Sequence, residues 1–226
     1  MAITIRAVEK LTDTQLDEIA DLFERAFAGD LGYESTKATL TDELRRESNM
    51  VLIRSVQLNG TFFFAANGGN IIGVLLALGP GKGMNRTAEE RALTGRDAYQ
   101  AQESPEFREW WKKYREVEAS LRKDVITDER VLNDSWYVSV MATEPSYQGK
   151  GIGTKLLSAV REKARTDGAF VTLFALKESN ISWYTKQGFD LRKRLDCPAF
   201  PSLGEGLTFP FAFFTWDEPS TSRPTQ

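Results

Sequence analysis

Between the apolar run Trp136–Thr143 and an amphipathic stretch that opens at Ile152, three glycines occupy alternate positions: Gly149, Gly151 and Gly153. The run reads as a buried strand. Ile152, Leu156, Leu157, Val160 and Ala164 recur at the spacing of one helical face, which Gly168 closes. A strand that feeds a helix through a glycine turn restricts the chain to folds that mix sheet and helix. Glycine removes Cβ atoms where the backbone must turn and where a ligand can approach it. The unpaired N–H groups and the macrodipole of the helix's first turn then favour an anion. Lys150 and Lys155 add positive charge, and a pyrophosphate suits the arrangement. The segment lacks the G-x-x-x-x-G-K-S/T of a triphosphate loop, and Thr154 stands where the dinucleotide fingerprint G-x-G-x-x-G needs its third glycine. Taken alone, the turn leaves a purely structural role open.

The remaining pattern places this unit late in an alternating chain. Residues 3–8 read as an opening strand. Thr12 and Gln15 form a capping-box signature ahead of Leu16, Ile19, Leu22, Phe23, Ala26 and Phe27 on one helical face, which Gly29 ends. A second helix is expected from Ser35 or Thr36 to at least Glu47, and from Met50 to Leu58 the pattern fits helix or strand. Thr61–Ala66 and Asn70–Leu78 are strand-like runs joined at Asn67-Gly68-Gly69-Asn70, a hairpin signal. The polar stretch from Lys82 to about Gln102 reads as a loop with a short helix. Ser104-Pro105 supplies an N-cap and a proline at the first helical position. Phe107, Trp110, Trp111, Tyr114, Val117 and Leu121 follow at helical spacing, a stripe that suits a packing face or the wall of a pocket. Further strands are expected at Phe170–Ala175, Phe189–Leu195 and Phe209–Trp216, with a short helix over Asn180–Gln187. The tail 218–226, rich in Pro, Ser and Thr, is expected to be disordered.

The chain contains no histidine. Ser-His and Cys-His nucleophilic chemistry and His-based zinc sites are thereby excluded, and any proton transfer falls to carboxylates, Tyr, Lys, backbone, water or the substrate. The single cysteine, Cys197, excludes an internal disulfide and a Cys-cluster metal site; it lacks an evident activating neighbour and reads as structural. No metal is expected. A net charge of −3 offers no global field for nucleic acid. The longest apolar stretch, Ile71–Leu78, is too short to span a bilayer, and the N-terminus lacks a secretory h-region, so no membrane association and a cytoplasmic location are expected.

Read onward from Trp136, the residues Trp-Tyr-Val-Ser-Val-Met-Ala-Thr-Glu-Pro-Ser-Tyr-Gln-Gly-Lys-Gly-Ile-Gly-Thr-Lys-Leu-Leu resemble the acetyl-CoA-binding motif of the GNAT N-acetyltransferase superfamily. That motif is a strand followed by Q/R-x-x-G-x-G/A leading into a helix, filled here by Gln148, Gly151 and Gly153. Downstream, Ser179-Asn180-Ile181-Ser182-Trp183-Tyr184-Thr185-Lys186-Gln187-Gly188-Phe189 resembles the second hallmark, Asn-x-x-x-Tyr-x-x-x-Gly-Phe. The resemblance covers roughly residues 134–195. The stretch Lys82–Asp134, with its Trp110-Trp111 pair, resembles fungal members thought to act on small molecules.

The resemblance implies an α/β (α+β) GNAT fold: a mixed, mostly antiparallel central sheet of about six or seven strands flanked by helices. It implies one domain over 1–217, with a helical insertion at about 82–134 between the third and fourth strands. It implies acetyl-CoA as co-substrate. Met141, Ala142 and Thr143 would pair with pantetheine at a splayed strand. Gln148, Gly149, Lys150, Gly151, Ile152, Gly153 and Thr154 would hold the pyrophosphate, and Asn180 would cap its helix and touch the cofactor. Tyr184 would be the catalytic acid toward the leaving thiolate. Several family members carry a Glu base where Tyr137 stands; no carboxylate lies within Trp136–Thr143, so water, a backbone carbonyl or the substrate's own ionisation are the alternatives, with Asp134 and Glu144 as flanking candidates. Phe27, Tyr33, Tyr137, Phe211, Phe213 and Trp216 are candidate acceptor-pocket residues. The implied reaction is acetyl transfer to the primary amine of a small molecule by a monomer or homodimer. A protein or peptide N-acetyltransferase and a non-catalytic acyl-CoA-binding sensor are the alternatives.

Overall fold

The computed structural model describes residues 3–123 and 134–217; the end of the expected insertion, 124–133, and the tail 218–226 lie outside the described residues. β1 (Thr4–Val8) pairs antiparallel with β2 (Thr61–Asn67), and β2 with β3 (Asn70–Leu78). Gly68 and Gly69 take φ of 60° and 92°, the positive values a two-residue hairpin turn requires, so the Asn67–Asn70 signal closes the pair it predicted. β4 (Ser135–Thr143), β5 (Phe170–Ala175), β6 (Asp190–Pro198) and β7 (Thr208–Trp216) complete a seven-stranded sheet in the order β1-β2-β3-β4-β5-β7-β6. Only the β4–β5 pair is parallel. The sheet is the mixed, mostly antiparallel one expected.

One irregularity in β4 controls the site. Leu76 pairs with Val140 and Ala77 with Val138, so Ser139 is left without a counterpart, a β-bulge. Strand side chains alternate between faces, so one extra residue exchanges the faces of everything downstream. Before the bulge, Trp136 and Val138 pack in the core beneath the glycine-opened helix. Beyond it, Val140 and Ala142 pack in the core on the other face, and Met141 turns back to the first. The parallel pairing of β4 with β5 ends at Val138↔Leu173, one residue before the bulge. β4 nevertheless continues to Thr143 and β5 to Ala175. The two strands part, and the β5-facing backbone of residues 139–143 pairs with no strand among the described residues.

Helices cover both faces. α1 (Asp13–Ala26) starts on the predicted capping box, with Thr12 and Gln15 bonded reciprocally, and buries Leu16, Ile19, Leu22 and Phe23. The single second helix expected from residue 35 or 36 is corrected to two. α2 (Leu31–Ser35) is capped by Asp30, and α3 (Asp42–Asn59) by Thr41, whose hydroxyl accepts from the Leu44 N–H; α3 runs through the stretch left open between helix and strand. α4 (Ala88–Thr94), α5 (Arg96–Ala101) and α6 (Pro105–Lys123) fill the segment between β3 and β4, so most of the expected loop is helical. The short polar helices α4 and α5 carry too little apolar periodicity to be read from sequence. α7 (Ile152–Thr166) joins β4 to β5 and buries Ile152, Leu156, Leu157 and Val160, each side chain contributing about 1.5–3 kcal/mol. α8 (Glu178–Lys186) follows β5. A third apolar cluster, around Phe107, Phe200, Phe209, Phe211 and Phe213, packs α6 against β6 and β7.

Candidate active site

Where β4 and β5 part, a cavity of about 440 Å³ opens. Met141, Ala142 and Thr143 form one wall; Gln148, Gly149 and Gly151–Thr154 form another. The Gln148 side-chain amide donates to the Thr143 carbonyl at 3.2 Å, tying the turn to the end of the strand. Gly151 is the N-cap of α7, with φ 76° and no side-chain cap. A Cβ there would meet nothing within 4 Å, so the left-handed backbone, not crowding, selects glycine. The first helical bond runs from the Lys155 N–H to the Gly151 carbonyl at 3.1 Å, which leaves the N–H groups of Ile152, Gly153 and Thr154 without a carbonyl inside the helix. Gly153 is selected differently: a Cβ would lie 3.1 Å from the Trp183 ring and 3.6 Å from Met141 Cε.

These walls fit a ligand with amides along a stem and an anionic group at one end. The unpaired strand backbone can accept the stem as an added strand, and the helix amides can hold the anion. Lys150 departs from the expectation: it is not part of the wall. Its ammonium folds back to the Ser146 carbonyl at 2.8 Å and over the Tyr147 ring, within the 3-10 turn Pro145–Tyr147. Asn180 lines the cavity but does not cap its helix, because the cap of α8 is Lys177 and Asn180 sits inside the first turn. Lys177, Ser179, Trp183 and Asp30 also line it and were not singled out from the sequence.

A second cavity, of about 640 Å³, lies between α1–α3, the inserted helices and the bulged part of β4. The two cavities share five wall residues: Phe27, Asp30, Met141, Asn180 and Tyr184. Tyr184 is 7% exposed, packed against Trp183, Phe189 and Phe214. No described side chain hydrogen bonds its hydroxyl, and burial pushes its pKa above the ordinary 10.0. It is therefore a neutral phenol, able to donate, throughout the physiological range. Among the described residues Asp30 is the only carboxylate in the shared wall; its Oδ1 accepts from the Tyr33 N–H at 3.1 Å as the cap of α2.

Phe27, Tyr33 and Tyr137 all line the second cavity. Phe27 stacks on Tyr33 at 5.0 Å, and the Tyr33 hydroxyl donates to Glu24 Oε1 at 2.8 Å and accepts from Asn49 Nδ2 at 2.9 Å. The Tyr137 ring lies under the Arg122 guanidinium, and burial pushes its phenol pKa up, so no base stands at this position. Trp216 is a correction: alternation along β7 sends Ala212, Phe214 and Trp216 to the α7 face, where Arg161 covers the indole at 4.8 Å. Phe211 and Phe213, one position out of phase, pack in the third cluster and line neither cavity. Of the flanking base candidates, Glu144 is paired with Arg25 at 2.9 Å, and neither it nor Asp134 lines a cavity. The α6 stripe divides: Phe107 and Trp110 are core, whereas Trp111 and Tyr114 wall the cavity. Cys197 is buried, which pushes its thiol up to about 11, consistent with a structural role.

The family model of the acetyltransferase (GNAT) domain matches residues 119–191, the segment that carries β4, the turn, α7, β5 and α8. Over those residues the chain is similar to a GNAT acetyltransferase domain. Acyl transfer from acetyl-CoA is the chemistry of that domain, and the splayed strands with their amide-lined turn fit it. Solved structures agree on the fold. A histone acetyltransferase HPA2-related acetyltransferase from Corynebacterium glutamicum matches at TM-score 0.56 and 17% identity, covering 98% of this chain and 100% of that one. The polyamine N-acetyltransferase of Drosophila melanogaster matches at TM-score 0.58 and 12% identity, over 95% and 99%. The protein yncA from Salmonella typhimurium, solved with its cofactor acetyl-CoA, matches at 0.56 and 15%, over 100% and 99%. Identities this low establish a shared GNAT fold and nothing of the acceptor. No curated protein matches the chain by sequence.

Proposed function

We propose that this GNAT domain transfers the acetyl group of acetyl-CoA to the primary amine of a small molecule, by direct attack in a ternary complex. The observation that carries the reading is the wall shared by the two cavities, where Tyr184 and Asp30 face both. Acetyl-CoA supplies an activated acyl group; everything else is assigned to the chain's own residues. Met141–Thr143 bind the pantetheine amides through the backbone freed by the bulge, and Gln148, Gly149 and Gly151–Thr154 hold the pyrophosphate. Asn180 closes the cavity over the stem. Asp30 attracts and orients the acceptor ammonium and accepts its proton. Tyr184 donates its phenolic proton to the departing sulfur. Phe27, Tyr33 and Tyr137 shape the acceptor side.

A small acceptor is favoured over a peptide because the second cavity is walled by α1–α3 together with the inserted helices α4–α6. The structural neighbour from Drosophila melanogaster acts on polyamines, which is compatible with a small amine but, at its identity, does not select one. The proposal takes residues 1–217 as one domain acting in the cytoplasm; no described helix is long and apolar enough to cross a membrane. The test is release of free thiol from acetyl-CoA with a panel of small primary amines and one lysine-bearing peptide. Acetylation of a small amine is the expected result. Saturable CoA binding with no turnover of any amine would overturn the reading.

A further inference from the structure

The acceptor cavity carries charge that its own walls do not neutralise. Its lining includes Lys37, Arg91, Arg96 and Arg115 against the carboxylates Asp30 and Glu118. Most of these are already engaged. Arg91 pairs with Asp97 at 3.1 Å, Glu118 pairs with Arg122, Asp30 caps α2, and the Lys37 ammonium donates to Ser48 Oγ at 2.6 Å. Two guanidiniums remain, from two different inserted helices: Arg96 on α5, half-buried, and Arg115 on α6, exposed. Each is steadied by a ring rather than a carboxylate, Arg96 over Tyr99 at 5.9 Å and Arg115 over Trp111 at 5.7 Å. Neither forms an ion pair among the described residues. They are close enough to repel: the Arg115 charge works with burial to lower the Arg96 pKa, while Glu103, buried behind them, opposes this without pairing with either. Beside them, the Tyr99 hydroxyl is buried, with Ser48 and Glu103 as its polar neighbours. Two like charges bordering one cavity, one of them half-buried and neither ion-paired, are relieved by a ligand that supplies an acceptor.

We propose that the acceptor is bifunctional: besides the amine presented to Asp30 and Tyr184, it carries an anionic oxygen group bound by Arg96 and Arg115. This rests on the acetyl-transfer reading and names the class of its acceptor, an amino carboxylate or amino phosphate rather than a polyamine. A diamine or polyamine would bring a second cation against two guanidiniums. An anionic group instead separates them and can receive the paired N–H donors of each fork.

The experiment compares primary amines of matched length at saturating acetyl-CoA: ω-amino carboxylates, ω-aminoalkyl phosphates and diamines. Arg115→Gln, Arg96→Gln and Arg115→Lys variants accompany the unaltered protein. Binding is read separately, as protection against thermal unfolding by each compound in the presence of CoA. The expected result is kcat/KM for one of the anionic series at least about 10²-fold above the diamines. The anionic series should protect the protein, and the preference should drop about 10–100-fold in each Gln variant and return in part with Lys. The arm that responds distinguishes carboxylate from phosphate. Equal or greater use of diamines overturns the proposal, as does an unchanged preference in Arg115→Gln. Arg115 is exposed, so that variant decides the matter should Arg96→Gln fail to fold. Failure of every amine to react, with CoA bound, instead removes the acetyl-transfer reading beneath it.

Discussion

Gly153, in the first turn of α7, lies directly under the indole of Trp183 on α8, with 3.1 Å between the ring and the position a Cβ would take. The contact joins the glycine-rich turn to the helix that carries Tyr184, so the glycine sets the separation of two walls of the cavity. Gly153→Ala forces the indole to yield by a few tenths of an ångström, a shift costing about 1–3 kcal/mol in a packed setting. The expected outcome is a raised KM for acetyl-CoA and a lowered kcat, with unfolding temperature reduced by about 2–12 °C. Steady-state kinetics with varied acetyl-CoA check it; a loss confined to stability would show that the contact does not position the site.

Tyr184→Phe removes a hydroxyl that no described side chain engages, so folding and CoA affinity should hold nearly unchanged. Loss of a general acid should reduce kcat by about 10²-fold or more. Because burial holds the phenol above its ordinary pKa, the unaltered protein should show no tyrosine-dependent fall in rate as pH rises to 10. Stopped-flow thiol release and CoA titration separate the two effects.

Asp30→Asn keeps the cap of α2, since Asn serves as well as Asp at that position, while removing the only carboxylate that the described residues place in the shared wall. Stability should stay within about 0.5 kcal/mol, and kcat/KM for the amine should fall about 10–100-fold as the ammonium loses a charged partner. The deficit should lessen at higher pH, where the free amine predominates. A pH profile of kcat/KM for both proteins is the measurement; equal profiles would remove Asp30 from the reaction.

Lys37 provides a stability test. It is buried on α1–α3's side of the acceptor cavity, and burial lowers its pKa from 10.5 to about 7, with the Glu24 charge opposing and the Arg45 charge assisting. Between about 7 and 10.5 the unfolded chain holds the proton that the folded chain has lost, so stability rises with pH across that window and the full burial penalty is present below it. Lys37→Met should therefore stabilise the protein at pH 6, by on the order of 2–3 kcal/mol, and show a flatter stability curve up to pH 10. Urea unfolding at pH 6 and pH 9 checks the sign.

Much of this was legible where local chemistry decides local form. Thr12 and Gln15 announced the cap of α1, the Asn67–Asn70 turn announced its hairpin, and the alternate glycines announced the start of α7. What was not legible is phase and placement. Trp216 belongs to an apolar strand that is buried on both faces, so nothing in its sequence tells which side the indole takes. Asp30 reads as an ordinary loop acid until the fold brings α2 against the mouth of the splayed strands. The break between α2 and α3 rests on two caps within a polar stretch, and α4 and α5 show too little apolar periodicity to stand out. Arg96 and Arg115 lie far apart in pattern and meet only because α5 and α6 border one cavity.

The unmatched Ser139 acts on β4 as a half-period delay acts on a wave. Upstream, the strand is in step with β5; downstream it is in antiphase, and the interval between the two is where the donor cavity exists. Deleting that one residue would therefore not act as a local lesion. It would bring Met141, Ala142 and Thr143 back into step, offer their backbone to β5 and transpose the faces that line both cavities. By the same logic, substitution at Ser139 is expected to be tolerated, while any change in the number of residues between Val138 and Met141 is not: at this place the chain stores its function in length rather than in identity.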